Sequence, residues 1–219
     1  IDADGFVDLV FANSRGDSLG DDADAQLNQL VRNDQGLAFV AVAGVFDEPD
    51  NAYVIKAGDL DRDGDPDLVV GVNFSGQSYL LINDGGALTR EELLPGDVFS
   101  VGDLELGDID GDLDVLVADW GTFEPYGGPL DPGGAIRLWL GDGDGDFTDG
   151  QAQLPMWMDI LVSWSFDLEL IDLDKESFAV VATLRVERDP IGDAAPTTRE
   201  GVLVRLRDAG HCVLFSSHV

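Results

Sequence analysis

Closely spaced aspartates are the residues of this sequence best suited to chemistry. The segment from Asp59 to Asp67 has a carboxylate at every odd position and Gly64 at its sixth. Oxygen ligands at alternate positions of a tight loop can converge on one hard cation such as Ca²⁺. An EF-hand would close with a glutamate at position 12 between two helices, whereas Asp67 leads straight into an apolar run. We therefore predict a strand–loop–strand calcium site formed by Asp59, Asp61, Asp63, Asp65 and Asp67.

Two further segments resemble this loop and extend the prediction. The first loop, at the start of the chain, keeps the carboxylates of positions 3, 5 and 9, which are Asp2, Asp4 and Asp8. In the third loop we assign positions 3, 5, 7 and 9 to Asp108, Asp110, Asp112 and Asp114. Position 1 would then be Leu106, unless an insertion brings Asp103 and Glu105 into the site.

A fourth copy is eroded, and an alternative without metal applies to all of them. Lys175 replaces the glycine and Phe178 replaces the closing aspartate, so we expect no metal in the fourth loop although Asp172 and Asp174 remain. Aspartates also cap hairpin turns without any metal. We interpret Gly141–Asp146 in that way, as a turn between two strands.

The spacing of the loops indicates a repeat architecture. The aligned positions Asp8, Asp67, Asp114 and Phe178 are 59, 47 and 64 residues apart, a period typical of propeller blades. After each loop come an apolar run, an alternating run and a turn rich in Asn, Asp and Gly, which favour antiparallel hairpins. We predict an all-β fold in one domain, a β-propeller of about four four-stranded blades, with repeats at about 1–46, 47–98, 99–158 and 159–219.

The first unit begins inside its metal loop and so lacks the first of its four strands, named A to D. Either the sequence is a piece of a longer chain, or another chain supplies that edge. An unpaired edge strand otherwise invites association. Self-association through this incomplete blade is therefore one expectation.

The composition restricts the partners. The 219 residues carry 44 Asp and Glu against 12 Lys and Arg, a net charge of −32. Nucleic acids and anionic membranes bind basic surfaces, so we expect neither as a partner and favour cations. The acidity also fits a solvated surface of a salt-adapted or secreted protein. No apolar run approaches the ~18 residues of a membrane span, and the single Cys212 permits no internal disulfide.

Two stretches carry a family resemblance. Asn28–Phe39 followed by Gly58–Leu68 resembles the cartilage acidic protein branch of the FG-GAP (VCBS-type) repeats, whose members include the propeller of integrin α subunits. The resemblance implies a β-propeller, commonly seven-bladed, with calcium in the loops between strands A and B. It implies extracellular adhesion, lectin-like or scaffold roles. The resemblance implies that the calcium ligands of the family correspond by position to Asp59, Asp61, Asp63 and Asp67.

The loops between strands B and C are the expected recognition face, because long variable loops on a rigid scaffold usually carry binding. Three are long, at 13–26, 120–135 and 187–201. Trp120, Phe123 and Tyr126 could stack on a sugar or peptide, or cover the end of the core. We give no role to Arg15-Gly16-Asp17, since three-residue matches are common by chance.

Three functions remain after these observations. The first is an extracellular, calcium-binding adhesion or ligand-binding scaffold in which calcium is mainly structural, with a protein or carbohydrate ligand. The second is a structural subunit of a surface assembly or filament. The third is a polysaccharide-active enzyme. The sequence offers few candidate catalytic residues for it, because His211 and His218 are the only histidines and no Ser-His-Asp or zinc pattern occurs. We predict a protein that is not an enzyme.

Overall fold

The computed structural model describes residues 1–13, 27–73, 77–92, 100–119, 134, 136–154, 164–172, 178–186 and 197–205. The last three ranges are described by their backbone and by Leu168 and Leu170. Within these ranges the regular structure is β-strand, apart from a single 3-10 turn at Gln151–Gln153. None of the described segments forms a helix with the length and apolar character of a bilayer span.

Four antiparallel sheets follow one another along the chain. Sheet 1 contains β1 (Leu9–Phe11), β2 (Gln29–Asp34) and β3 (Ala38–Val42). Sheet 2 contains β4 (Ala52–Gly58), β5 (Asp67–Val72), β6 (Tyr79–Asp84) and β7 (Ala87–Glu92). Sheet 3 contains β8 (Val101–Asp108), β9 (Leu113–Asp119), β10 (Ile136–Gly141) and β11 (Phe147–Asp149). Sheet 4 contains β12 (Trp164–Asp172), β13 (Phe178–Val186) and β14 (Thr197–Arg205).

Each sheet is a meander of neighbouring strands, as in a propeller blade, so the all-β prediction is confirmed. Sheets 2 and 3 have the four predicted strands, sheet 1 has strands B to D, and the described part of sheet 4 has strands A to C. The A strands contact one another in series, β4 with β8 and β8 with β12. Among the described strands, no packing of sheet 4 on sheet 1 closes a ring.

The apolar core lies in layers between successive sheets. Along β5, Leu68 and Val70 pack towards sheet 1 while Val69 packs towards sheet 3, because successive side chains of a strand point to opposite faces. In sheet 3, Val115 packs towards sheet 2 and Leu116 towards sheet 4. Continuous apolar runs in the B strands follow from this burial on both faces. The stacked sheets therefore hold the described A–B loops, 59–67 and 108–114, in position between their strands.

Gly71 is a point of close approach between sheets 2 and 3. A Cβ atom there would lie 2.7 Å from Val54 Cγ1 and 2.8 Å from Val101 Cγ1. Valine side chains are stiff at χ1, so neither can easily turn away. We expect Gly71→Ala to destabilise the fold by roughly 1–3 kcal/mol, as overpacked cores do, measured by urea unfolding. Ala57→Val, on an exposed position of β4, is the control; an equal loss in both variants would contradict the packing argument.

Candidate metal centres

The second loop, residues 59–67, joins β4 to β5 and turns sharply. Gly64 has a φ of 97° and Arg62 a φ of 61°, both in the left-handed region that glycine tolerates best. Two aspartate side chains brace the turn, because Asp61 Oδ1 accepts the amide of Asp63 at 3.2 Å and Asp63 Oδ1 accepts the amide of Asp65 at 2.8 Å. The alternating aspartates thus shape the loop even without a metal.

Asp67 anchors the second loop to the sheet. Its side chain is fully buried. Oδ2 accepts the amide of Leu60 at 2.7 Å, and Oδ1 accepts the amide of Asn83 on β6 at 2.8 Å. Burial raises the pKa of Asp67 against the effect of these two hydrogen bonds, and the charges of Asp61 and Asp63 add to the rise. A carboxylate held in this way orders the loop and gains from any cation placed beside it.

Three of the predicted ligands converge. One carboxylate oxygen from each of Asp59, Asp61 and Asp67 lies within 4.8 Å of the other two. Asp59 Oδ1 is buried, and no described residue donates a hydrogen bond to it, an arrangement that is costly unless a cation balances it. Hard divalent cations prefer such all-oxygen sites, so the residues present fit a metal ion. Within the described ranges, this is the single acidic group that meets that distance.

The two other predicted ligands of this loop stand apart from the converging group. Asp63 is exposed. Asp65 Oδ2 accepts the amide of Gly85, at the turn between β6 and β7, at 2.9 Å. Both carboxylates belong to the same loop and add to its negative potential.

The first loop repeats the anchor but not the convergence. Asp8 Oδ1 accepts the amide of Asn33 at 2.7 Å, and its Oδ2 accepts from the amino nitrogen of Ile1 at 2.8 Å. Asp2 Oδ1 accepts the amide of Asp4 at 3.3 Å, and Arg32 Nε lies 3.5 Å from Asp2 Oδ2. These carboxylates share the ligand chemistry of the second loop without gathering around one point.

The strand register corrects the alignment of the third loop, residues 108–114. Gly58 pairs with Asp67 in sheet 2, and Gly107 pairs with Asp114 in sheet 3. Asp108 therefore corresponds to Asp59 and occupies position 1, not position 3, and the third loop is two residues shorter. Asp110 then takes position 3. The deleted residues correspond to Arg62 and Asp63.

The third loop keeps the anchoring aspartate but has different neighbours. Asp114 Oδ2 accepts the amide of Ile109 at 2.7 Å, and Oδ1 accepts the amide of Gly141 at 3.1 Å. Asp108 Oδ1 accepts the amide of Gly111 at 2.6 Å. Asp103 and Glu105, the alternative ligands, face other sheets: Asp103 Oδ2 accepts the amide of Leu168 at 2.7 Å, and Glu105 pairs with Lys56 at 2.5 Å.

In the absence of metal, Asp114 makes the stability of the folded chain depend on pH. Burial raises its pKa from the ordinary 3.8 to about 6, helped by the charges of Asp110 and Asp108 and opposed by its two amide donors. The folded pKa exceeds the unfolded one, so protonation favours the fold, and this contribution is lost as the pH rises through about 6. We expect the chain in EDTA to gain about 1 kcal/mol from this group between pH 7.5 and 5.0.

Urea unfolding of the native chain and of Asp114→Asn at the two pH values measures this contribution. The variant lacks the titrating group, so the difference between the two chains isolates it from the rest of the acidic surface. A pH response that is equal in both chains would contradict the assignment.

Two asparagines that organise the loops were not recognised in the sequence. Asn83 is fully buried and its Nδ2 donates to the carbonyl oxygens of Ile1 at 3.0 Å and Pro66 at 3.1 Å. Asn33 Nδ2 likewise donates to the carbonyl oxygen of Val7 at 3.2 Å. Each begins an Asn-Asp-x-Gly turn that the sequence does predict, whereas the hydrogen bonds from these asparagines to the metal loops were not predicted.

Several predictions fall outside the described residues. These are Arg15-Gly16-Asp17, the aromatic residues of the loop at 120–135, most of the loops at 13–26 and 187–201, and Asp174 and Lys175 of the fourth copy. The segment Gly141–Asp146 is described and forms the turn between β10 and β11, as predicted. Its Asp142 Oδ1 accepts the amides of Asp144 at 2.9 Å and Asp146 at 3.2 Å.

Comparison with known proteins gives one result that bears on these loops. A family model described as an FG-GAP-like repeat matches residues 1–70 and 59–115. The two matches together span 115 of the 219 residues, contain all three loops, and overlap on the second loop. No curated protein matches the chain.

Proposed function

This chain belongs to the FG-GAP-like repeat family, and we propose that it is an extracellular, calcium-binding β-propeller module that acts as an adhesion or ligand-binding scaffold. The observation that supports this most is the convergence of carboxylate oxygens from Asp59, Asp61 and Asp67, one of which, Asp59, also has a buried oxygen with no hydrogen-bond partner among the described residues. Repeats of this family occur in extracellular and surface proteins and are generally not catalytic. An extracellular location also supplies the millimolar calcium that weak loop sites require.

The role we propose for calcium is structural. Asp59, Asp61 and Asp67 would hold the ion at the junction of β4 and β5, with Asp63 and Asp65 beside them. A bound divalent cation offsets the repulsion among these carboxylates, and binding to the folded state alone adds to the stability of that state. We extend the proposal to Asp2, Asp4 and Asp8 of the first loop. Asp108, Asp110, Asp112 and Asp114 of the third loop offer the same ligand chemistry, but in the native chain the guanidinium of Arg62 already pairs with one of them, Asp112.

The ligand we propose is a protein or a carbohydrate bound at the face of the B–C loops, opposite the metal loops. The support comes from the sequence, in which three of these loops are long and one contains Trp120, Phe123 and Tyr126. Aromatic side chains on loops of a rigid scaffold suit sugars and peptides. The net charge of −32 disfavours nucleic acid as a partner.

Calorimetric titration with CaCl₂ tests the metal site. We expect the native chain to bind at least one equivalent that Asp59→Asn loses, while an exposed-site variant such as Asp34→Asn keeps it. A panel of glycans and matrix proteins, probed with calcium and then with EDTA, tests the scaffold role. Ligand binding that is unaffected by changes in the B–C loops would contradict the proposal. Equal calcium uptake by the native chain and Asp59→Asn would contradict it as well.

One observation favours a second function, a subunit of a surface assembly. Leu9 and Phe11 are 38% and 47% exposed, whereas the equivalent Leu68 and Val70 of sheet 2 are 1% and 0% exposed because sheet 1 covers them. The outer face of sheet 1 therefore has the apolar character of a blade interface. Sedimentation velocity tests this: association that Phe11→Asp abolishes supports the assembly, and a monomer at all concentrations argues against it.

A further inference from the structure

Arg62 extends from the second loop into the third. Its Nη2 donates to the carbonyl oxygen of Gly111 at 2.5 Å, and its guanidinium forms an ion pair with the carboxylate of Asp112. The guanidinium also lies against the turn between β10 and β11, where a Cβ on Gly143 would be 2.9 Å from Arg62 Cζ. A positive charge therefore already lies on the third loop, carried by a side chain that is 58% exposed.

The first loop offers an internal comparison. Ala3 and Arg62 each precede the anchoring aspartate by five residues, and both have a positive φ, 54° and 61°. The neighbouring turns also correspond. A Cβ on Gly86 would lie 3.9 Å from Asp2 Cβ, and one on Gly145 would lie 3.7 Å from Asp61 Cβ. The first loop thus meets sheet 2 as the second loop meets sheet 3, but Ala3 brings no charge to its neighbour.

A left-handed φ is unfavourable for arginine relative to glycine, so the contacts of the side chain have to offset that cost. The third loop also lacks two residues, including the counterpart of Asp63. The third loop therefore has fewer carboxylates for a metal. It also has a guanidinium from the neighbouring loop beside it, whereas the second loop has Ala3 at the corresponding position of its neighbour. Both differences act in the same direction, against calcium in the third loop.

We infer that Arg62 is the resident cation of the third loop and determines which A–B loop takes calcium. Calcium at Asp108, Asp110 and Asp112 has to displace the guanidinium, whereas no described Lys or Arg side chain forms an ion pair with Asp59 or Asp61. This inference rests on the proposed calcium-binding function. It makes Arg62 a specificity-determining residue for the number of ions bound.

Calcium stoichiometry by calorimetry tests the inference. We expect Arg62→Gln to bind one equivalent more than the native chain, and Arg62→Gln with Asp112→Asn to return to the native number. Arg90→Gln removes the same charge from a guanidinium that stacks on Tyr79 at 3.7 Å, and it should leave the number unchanged. An unchanged number in Arg62→Gln, or the same gain in Arg90→Gln, would overturn the inference while leaving calcium binding by the second loop intact.

The reciprocal variant places the charge on the other loop. Ala3→Arg should weaken the calcium equivalent that Asp59→Asn abolishes, because the arginine would then compete at the second loop. Ala3→Gln, of similar reach and no charge, is the control. Equal affinities in Ala3→Arg and Ala3→Gln would count against the inference.

Thermal unfolding in EDTA tests the ion pair independently of any metal. If Arg62 and Asp112 interact, Arg62→Gln and Asp112→Asn should together lower Tm by less than the sum of the separate losses. Strictly additive losses would overturn the inference. Because no calcium is present, this result separates the role of Arg62 from a failure of the calcium proposal itself.

Discussion

Replacing Asp67 by alanine should destabilise the protein by about 3 kcal/mol in EDTA, and by more in calcium because the variant also loses a proposed calcium ligand. The substitution leaves the amides of Leu60 and Asn83 without the acceptor that both now share, and each unsatisfied buried donor costs about 1–3 kcal/mol. For a chain of this length, about 3 kcal/mol corresponds to a Tm lower by roughly 6–12 °C. The loss should appear in EDTA because the two hydrogen bonds need no metal.

The matched control for this prediction is Asp63→Ala in the same loop. Asp63 is exposed, and its carboxylate accepts one hydrogen bond, from Asp65, at the surface. We expect it to change Tm in EDTA by only a small fraction of the Asp67 effect. If the two variants lost equal stability in EDTA, Asp67 would not be the anchor of the loop.

Calcium should raise the Tm of the native chain, and Asp59→Asn should remove most of that rise. A ligand at 100 times its Kd stabilises the folded state by about 2.7 kcal/mol, which corresponds to roughly 5–10 °C for a chain of this length. Asp59 provides the buried oxygen without a partner, so its amide variant loses a charged ligand but no hydrogen bond from that atom. In EDTA the variant should be at least as stable as the native chain, since one repelling carboxylate is gone.

This second prediction also separates calcium from general salt adaptation. A solvated acidic surface would be stabilised by raised NaCl or MgCl₂ as well as by CaCl₂, and one aspartate among 44 acidic residues would matter little. A calcium response that NaCl reproduces, or that persists in Asp59→Asn, would assign the aspartates to turn and surface chemistry.

The blade pattern could be predicted from the sequence because its physical signals are local. The apolar run Leu68–Val70 follows Asp67 and lies within β5, and Val115–Val117 lies within β9 in the same relation to Asp114. Buried B strands need apolar residues on both faces, and the Asn-Asp-Gly turns supply the left-handed residues of tight hairpins. Gly85 and Gly86, between β6 and β7, have φ values of 60° and 91°.

The contacts that distinguish the loops could not be predicted, because they depend on the register and on neighbouring sheets. The position of Asp108 became clear only from the pairing of Gly107 with Asp114, since a two-residue deletion leaves the spacing of aspartates almost unchanged. The reach of Arg62 to Asp112 joins residues 50 positions apart in the chain. No local pattern in the sequence encodes such a contact.

The convergence of Asp59, Asp61 and Asp67 could be predicted from the sequence only in part. Their spacing predicted a common site, but the related spacing of Asp2, Asp4 and Asp8, which lacks the position of Asp59, did not bring those carboxylates together. The anchor does not distinguish the two loops, because Asp8 and Asp67 each accept the amide of an asparagine on strand C of the blade. The second loop differs in having Asp59, whose carboxylate is one of the three that converge.

Hydrogen–deuterium exchange of residues 59–67 tests the central claim most directly, because it locates any effect of calcium on the loop itself. We expect the amides of Asp63, Asp65 and their neighbours to exchange more slowly in millimolar CaCl₂ than in EDTA, with no such difference in Asp59→Asn. Equal exchange of this loop in calcium and EDTA, or equal protection in the variant, would contradict a calcium ion held by Asp59, Asp61 and Asp67.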